Sequence, residues 1–220
     1  MLTLFHAPGA CSLASCIALE ETDAEFEIKT VSFADGEQHK ADYLRLNPKG
    51  RVPALVVNDG TVAAHSKDAT SSQGTKGVLT ETPAILFYLA QQFPQANLAP
   101  LGDNFALAQM QSFNSFLCST VHVAHAHKLR GARWANKESS YEDMRAKVPE
   151  NMSTLFTMIE ETYLGQPWVL GEQYSICDAY LYTIARWLEG DGVDITAFPR
   201  VNAHFKRMED RPAVQRALRH

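Results

Sequence analysis

The hydrophobic pattern of this chain changes character near its middle. Residues 1–92 mix strand-like and helical segments, whereas residues 104–220 are patterned almost entirely as helix. Between them, residues 93–103 contain two prolines and a glycine, which interrupt helical periodicity. The sequence therefore predicts an α/β domain over residues 1–92, a linker over residues 93–103 and an all-α domain over residues 104–220.

The first half begins with a strand, a helix and a second strand, an order that favours a parallel strand pair with a right-handed crossover. Strands are predicted at residues 2–5, 26–33 and 54–57. Helices are predicted at residues 11–21, 40–46, 83–92, 105–129, 141–163, 175–188, 200–209 and 212–218. Ser175 and Asp178 have the spacing of a capping box, in which each side chain bonds the backbone at the helix start.

The charge and the cysteine pattern of the chain limit the classes of partner and the cellular compartment that we expect. The chain has 220 residues and a net charge of −5, and its lysines and arginines form no basic run. We therefore expect no nucleic-acid or membrane partner, and instead a small molecule or another protein chain. The four cysteines show neither zinc-ligand spacing nor a disulfide pattern, which indicates a reducing compartment. Without a signal-like N-terminus or a membrane-spanning stretch, the sequence predicts a cytoplasmic protein.

The first predicted helix follows a Pro-Gly turn and opens at Cys11. Unpaired N–H groups and the positive dipole end at a helix start favour the thiolate, the nucleophilic form of cysteine. The alternative is a small buried residue, because free cysteine is often buried. Ala14 stands where a thioredoxin-type pair has its second cysteine, and Cys16 is predicted to face the core. Cys11 is therefore a candidate nucleophile without an adjacent resolving thiol.

Two further motifs suit a peptide-like ligand. Residues 47–53 read Asn-Pro-Lys-Gly-Arg-Val-Pro, directly before an apolar strand. A cis Val52–Pro53 bond turns the Val52 backbone outward towards an extended ligand, although trans is the commoner isomer. Downstream, Thr82 is predicted as a helix N-cap with Pro83 in the first turn. Together with Glu81, this helix start suits the carboxylate and ammonium of an amino-acid zwitterion, with simple helix capping as the alternative.

In this order and spacing, the three motifs resemble those of the glutathione S-transferases, most closely the bacterial beta class, whose signature Pro-Gly-x-Cys-Ser matches residues 8–12. The resemblance covers nearly the whole chain. It implies a thioredoxin-like N-terminal domain followed by an all-helical C-terminal domain, assembled as a homodimer with glutathione on the first domain. The implied activity is conjugation of the glutathione thiolate to small hydrophobic electrophiles, in detoxification. Glutathione-dependent thiol-disulfide or peroxide chemistry at Cys11, isomerisation, and a non-catalytic glutathione-binding relative are the alternatives.

The resemblance also assigns roles to individual residues. In the first half, those implied to contact glutathione are Cys11 at the sulfur, with Ser12 as the alternative thiolate stabiliser, Val52 with a cis Pro53 at the cysteinyl backbone, and Glu81 with Thr82 at the γ-glutamyl end. In the second half, those implied to lie near the cysteine or in the electrophile pocket are Ser119, His122 and Trp187.

Some positions depart from the family pattern. Val123 replaces a lysine that often follows the histidine, and Lys40 and His39 are only candidates for binding the glycyl carboxylate. Residues 63–78 are longer than the usual turn between the third and fourth strands, and we interpret them as an elaborated hairpin at the dimer contact or the cleft rim.

Phe113 is a candidate for the electrophile pocket, although such aromatics are more often core. His122 and His125 lie one helical turn apart, but nothing at ligand spacing completes a site, so no metal is expected.

Overall fold

A computed structural model describes residues 1–57 and 77–220. These form two compact units: Met1–Ala96 together with Pro212–His220, and Asn97–Arg211. Most of the hairpin predicted at residues 63–78 lies outside the described residues. Strands in the described residues are β1 (Leu2–His6), β2 (Phe26–Thr30), β3 (Ala54–Val57) and β4 (Gly77–Thr80). Helices are α1 (Leu13–Glu20), α2 (Ala41–Leu46), α3 (Thr82–Gln92), α4 (Asn104–Phe116), α5 (His122–Ala126), α6 (Glu138–Met158), α7 (Ile176–Ala185), α8 (Pro199–Glu209) and α9 (Pro212–Ala217).

The first unit is built on a mixed sheet with strand order β2-β1-β3-β4. β1 pairs in parallel with β2, and β3 runs antiparallel to both β1 and β4. The two strands flank α1 in sequence and run parallel, which confirms the predicted parallel pairing, and the unit has the predicted thioredoxin-like fold. All of β3 is buried, which explains why its sequence is continuously apolar rather than alternating.

Helix α1 forms much of the core of the first unit. Every residue from Leu13 to Leu19 is buried. The C-terminal helix α9 packs on α1 and buries Ala213, Val214 and Ala217. Arg216 reinforces this contact, because its Nε lies 2.6 Å from Glu20 Oε2. The last nine residues therefore belong to the first unit, whereas their helical pattern had suggested the second domain.

Two local predictions for the first unit need correction, and one strand was missed. α1 begins at Leu13, not at residue 11, so Cys11 lies in the turn before the helix. β2 ends at Thr30, three residues earlier than predicted, because a turn follows in which Gly36 has φ +63°. β4 was not predicted from the residues, since a four-residue strand leaves too little alternation to detect.

The second unit is helical, as predicted. α7 lies at its centre, with every residue from Ile176 to Ala185 buried. The capping box at its start is present. The single helix predicted over residues 105–129 is instead interrupted by a π-helical turn at Leu117–Val121, which separates α4 from α5. Within the described part of the chain, no helix combines the length and apolar character needed to cross a bilayer.

Candidate glutathione site

Cys11 lies in the turn that joins β1 to α1. Its side chain is 8% exposed, and its Sγ donates a hydrogen bond to the Val52 carbonyl over 3.5 Å. The Cys11 thiol therefore contacts the segment that precedes β3 and is not packed into the core. Cys16 behaves as predicted: it is fully buried, and burial raises its pKa. None of the four cysteines, all of which lie in the described residues, forms a disulfide.

The Val52–Pro53 peptide bond is cis. The Val52 carbonyl accepts from Cys11, and no described residue accepts from the Val52 N–H. β3 begins immediately afterwards, at Ala54. One backbone donor beside the thiol is therefore available to an extended ligand.

Side chains from α2 and its C-cap hold this segment in place. The Arg51 carbonyl accepts from the Tyr43 hydroxyl at 2.6 Å and from Asn47 Nδ2 at 2.7 Å. Burial raises the pKa of Tyr43 to about 12, so its hydroxyl remains a donor at neutral pH. Gly50 has φ +61°, and a Cβ there would lie 2.9 Å from His39 Nδ1. Sequence reasoning missed the role of Tyr43, because nothing local indicates a contact eight residues away.

The Glu81–Thr82 motif adjoins the same segment, because Ala54 pairs with Thr80 across the sheet. Helix α3 begins at Thr82, so Glu81 is its N-cap residue and the predicted Thr82 cap is shifted by one position. Glu81 has φ +75°, which is unusual for a residue other than glycine, and its side chain is exposed. Thr82 is buried, 4% exposed, in the first turn, where unpaired backbone N–H groups favour an anion.

Lys49 was not among the predicted site residues, yet it contacts this motif. Its Nζ lies 2.5 Å from Glu81 Oε1 and 2.8 Å from Thr80 Oγ1. The two loops of the site are thereby tied together by an exposed ion pair. Lys40, in contrast, is exposed and pairs with Glu37 at 3.8 Å, so its assignment to the glycyl carboxylate stays a prediction.

Ser12 differs sharply from Cys11 in its surroundings. It is fully buried, its Oγ lies 2.8 Å from His6 Nδ1, and it accepts from the Ala7 N–H at 3.2 Å. These bonds close the turn between β1 and α1. They account for a structural role of the hydroxyl and favour Cys11 over Ser12 as the group that contacts a ligand.

His6 makes the stability of this turn depend on pH. Burial, followed by repulsion from His220, lowers the pKa of His6 to about 4 from 6.5, although the contact with Ser12 opposes the shift. Between these two values the unfolded chain binds a proton that the folded chain does not. Stability is therefore complete above pH 6.5 and falls as the pH drops towards 4.

We expect the free energy of unfolding to fall by about 2 kcal/mol between pH 7 and pH 5 through His6 alone. Denaturant unfolding of the wild type and of His6→Gln at both pH values measures this. The difference between the two proteins should shrink by that amount at pH 5, since the variant has no imidazole to protonate. Equal losses of stability in the two proteins would show that His6 is not the group responsible.

The second unit contains the remaining predicted residues. Ser119 is exposed in the π-helical turn, and His122 is the first residue of α5, with its ring centroid 5.0 Å from that of Trp187. Phe113 is 2% exposed and packs against Tyr163, which places it in the interior of the unit. Among residues 1–57 and 77–220, no three His, Cys, Asp or Glu side chains are grouped closely enough to hold a metal ion.

Comparison with known proteins identifies this arrangement. The profile "Glutathione S-transferase, N-terminal domain" matches residues 1–66, and "Glutathione S-transferase, C-terminal domain" matches residues 101–212. The chain belongs to the glutathione S-transferase family, and the enzyme class it represents is glutathione transferase. The resemblance noted in the sequence is thereby confirmed.

Solved structures and curated relatives agree over the full length. A glutathione transferase homologue from Sulfitobacter, crystallised with bound glutathione, is 45% identical with a TM-score of 0.88, covering 98% of this chain and 96% of that one. A beta class glutathione S-transferase from Sphingomonas chungbukensis is 31% identical with a TM-score of 0.78, covering 99% and 97%. Glutathione S-transferase GstA of Escherichia coli O157:H7 is 28% identical over 99% of this chain and 97% of its own. More distant relatives include a maleylacetoacetate isomerase and a disulfide-bond oxidoreductase.

Proposed function

We propose that this protein conjugates the glutathione thiolate to small hydrophobic electrophiles, and that the first unit binds glutathione along Cys11, Val52 and the start of α3. The observation that carries the proposal is the Cys11 thiol, held at the Val52 carbonyl beside a backbone N–H that no described residue bonds. The relative from Sulfitobacter binds glutathione. That supports the same ligand here.

Each part of glutathione has a chemically matched group in this unit. The Val52 backbone pairs with the cysteinyl residue as a neighbouring strand would. The γ-glutamyl carboxylate suits the first turn of α3 at Thr82, where backbone N–H groups favour an anion, and its ammonium suits the exposed Glu81 carboxylate. Lys40 and His39 are the candidates for the glycyl carboxylate. This pose brings the glutathione sulfur to Cys11.

The reaction then needs a thiolate and a positioned electrophile. The Cys11 thiol donates a hydrogen bond to the glutathione sulfur and thereby stabilises the glutathione thiolate. The proton of the glutathione thiol is released to solvent. The thiolate sulfur attacks the electrophilic carbon, a carbon–sulfur bond forms, and the leaving group departs with its electron pair. Ser119, His122 and Trp187 of the second unit are proposed to lie at the reacting groups, with Trp187 contacting the electrophile. The interior position of Phe113 favours packing over pocket lining.

A second candidate is thiol-disulfide exchange, because the group at the site is a thiol and not a hydroxyl. The Cys11 thiolate attacks the glutathionyl sulfur of a mixed disulfide between glutathione and a small thiol, the S–S bond breaks, and the small thiol leaves as its thiolate while the glutathionyl group stays on Cys11. Reduced glutathione then attacks this Cys11 disulfide, which regenerates the Cys11 thiolate and releases oxidised glutathione, so that glutathione supplies the two electrons that reduce the substrate. We also propose that the protein is a cytoplasmic homodimer acting in detoxification, which light scattering and cell fractionation test.

We expect Cys11→Ala to lower kcat/KM for conjugation of a chlorodinitrobenzene by roughly 10-fold to 100-fold, the value of a hydrogen bond to a charged group. Cys118→Ala removes the cysteine that is partly exposed in the second unit and should leave the rate unchanged. Ser12→Ala should lower the denaturant concentration at the unfolding midpoint, whereas kcat/KM of the folded enzyme should change little. An unaffected Cys11→Ala enzyme would remove this cysteine from the conjugation step, and a wild type without turnover would contradict the proposed function.

A further inference from the structure

His125 in the second unit is held on two sides by one short segment after α7. Its ring stacks on the indole of Trp187, with centroids 4.3 Å apart and planes inclined by 19°. Its Nδ1 lies 2.7 Å from Asp191 Oδ2. The Asp191 N–H donates to the Trp187 carbonyl at 2.9 Å, so the two groups that contact His125 belong to a single closed turn. The ring and the carboxylate together fix one imidazole.

The carboxylate of Asp191 is buried, which costs more desolvation free energy than a residue of an ordinary surface turn loses. Its side chain is completely buried, and its second oxygen, Oδ1, lies 3.5 Å from Lys128 Nζ at ion-pair distance but outside hydrogen-bond geometry. A buried carboxylate is tolerated when its partners are held in good geometry. Here those partners are His125, near the C-terminal end of α5, and Lys128, in the turn that follows the helix. Asp191 therefore anchors that end of α5 to the turn carrying Trp187.

The same indole also contacts His122. The two ring centroids are 5.0 Å apart with planes inclined by 53°. His122 and His125 are three residues apart on α5 and so share a face of the helix. Trp187 thus lies across that face against both imidazoles. Because side chains in such a contact move together, the position of His125 constrains both His122 and Trp187.

We propose that Asp191 is a positioning residue for the electrophile pocket: through His125 it fixes the ring of Trp187, and with it His122. The inference rests on the proposed function, in which Trp187 contacts the electrophile. It assigns Asp191 and His125 to specificity for the electrophile and not to glutathione binding. A rigid indole presents one flat aromatic wall, which favours planar aromatic electrophiles over bulky aliphatic ones.

The chain offers a matched control for this stack. His127 stacks on Trp134 with nearly the same geometry, at 4.2 Å and 23°, and its Nδ1 lies 2.8 Å from the Val123 carbonyl. Outside residues 58–76, no carboxylate takes part in this contact, and Trp134 is 44% exposed. His127→Phe therefore changes an equivalent histidine–tryptophan pair at the same end of α5 without touching the Asp191 network.

The test has two readouts. In steady-state kinetics, Asp191→Ala and His125→Ala should raise KM for an aromatic electrophile by about five-fold or more while KM for glutathione changes by less than about two-fold. Asp191→Asn, which keeps a hydrogen-bonding group at the same place, should restore most of the loss. In a Trp134→Phe/Trp168→Phe background, where Trp187 is the remaining tryptophan, the same alanine substitutions should increase acrylamide quenching and lower the emission anisotropy.

The outcomes separate this inference from the proposed function. If quenching of Trp187 is the same in wild type, Asp191→Ala and His125→Ala, the positioning role is wrong whatever the kinetics show. If both KM values rise together, or His127→Phe has the same effect as His125→Ala, the residues act on general stability and the inference is also wrong. If the wild type conjugates no electrophile but the quenching changes as expected, Asp191 still fixes the indole and it is the proposed function that fails.

Discussion

Replacing Asp178 by alanine is expected to lower the free energy of unfolding by about 3–5 kcal/mol, because the change leaves several buried partners without an acceptor. Asp178 is completely buried. Its Oδ2 accepts from the Ser175 N–H at 2.8 Å, and its Oδ1 accepts from the Val169 N–H at 2.8 Å and lies 3.0 Å from His204 Nε2. One carboxylate therefore joins the start of the central helix α7 to the preceding loop and to α8.

Asp103→Ala provides the matched control. Asp103 also caps a helix of the second unit, where its Oδ1 accepts from the N–H groups of Phe105 and Ala106, but it is exposed. Its loss should cost only about 1 kcal/mol, the usual value of an N-cap. Denaturant unfolding followed by circular dichroism compares the two variants. If Asp178→Ala loses no more stability than Asp103→Ala, the buried network does not hold the helical unit together.

Thr82→Val is expected to raise the Kd for glutathione by roughly 10-fold to 100-fold, while leaving the fold intact because the two side chains have similar volumes. Thr82 is buried in the first turn of α3, where the proposed γ-glutamyl carboxylate binds. The substitution removes the hydroxyl donor that the proposed binding mode places at the γ-glutamyl carboxylate, and hydrogen bonds to charged groups are the strong ones. Isothermal titration with glutathione measures the change.

Thr80→Val is the control for this experiment. Thr80 ends β4 and contacts Lys49 instead of the first turn of α3. Its loss should alter the Kd by less than about two-fold, since an exposed contact of this kind contributes little. Equal effects of the two substitutions would mean that the helix start does not bind the ligand.

Much of this arrangement could be predicted from the residues. The Pro-Gly turn before Cys11, the apolar β3 run after Pro53 and the capping box at Ser175 are local patterns, and the structure places each element close to its predicted bounds. Local patterns work here because turn chemistry and helix capping are decided by neighbours in sequence.

The remaining features depend on contacts between distant residues. The bond from the Cys11 thiol to Val52 spans 41 positions, and that between His125 and Asp191 spans 66. No periodicity marks such partners in advance. The same holds for the Leu117–Val121 π-helical turn, since its residues fit the apolar pattern of an uninterrupted helix. Tertiary packing, which decides these positions, is not visible in a single sequence.

Intact-mass measurement after incubation with oxidised glutathione shows whether the first unit presents glutathione to Cys11. The proposed binding mode predicts a single glutathione adduct in the wild type, located on Cys11 by peptide mapping, absent in Cys11→Ala and retained in Cys118→Ala. An adduct on Cys118 alone, or no adduct in a wild type that is folded, would contradict it.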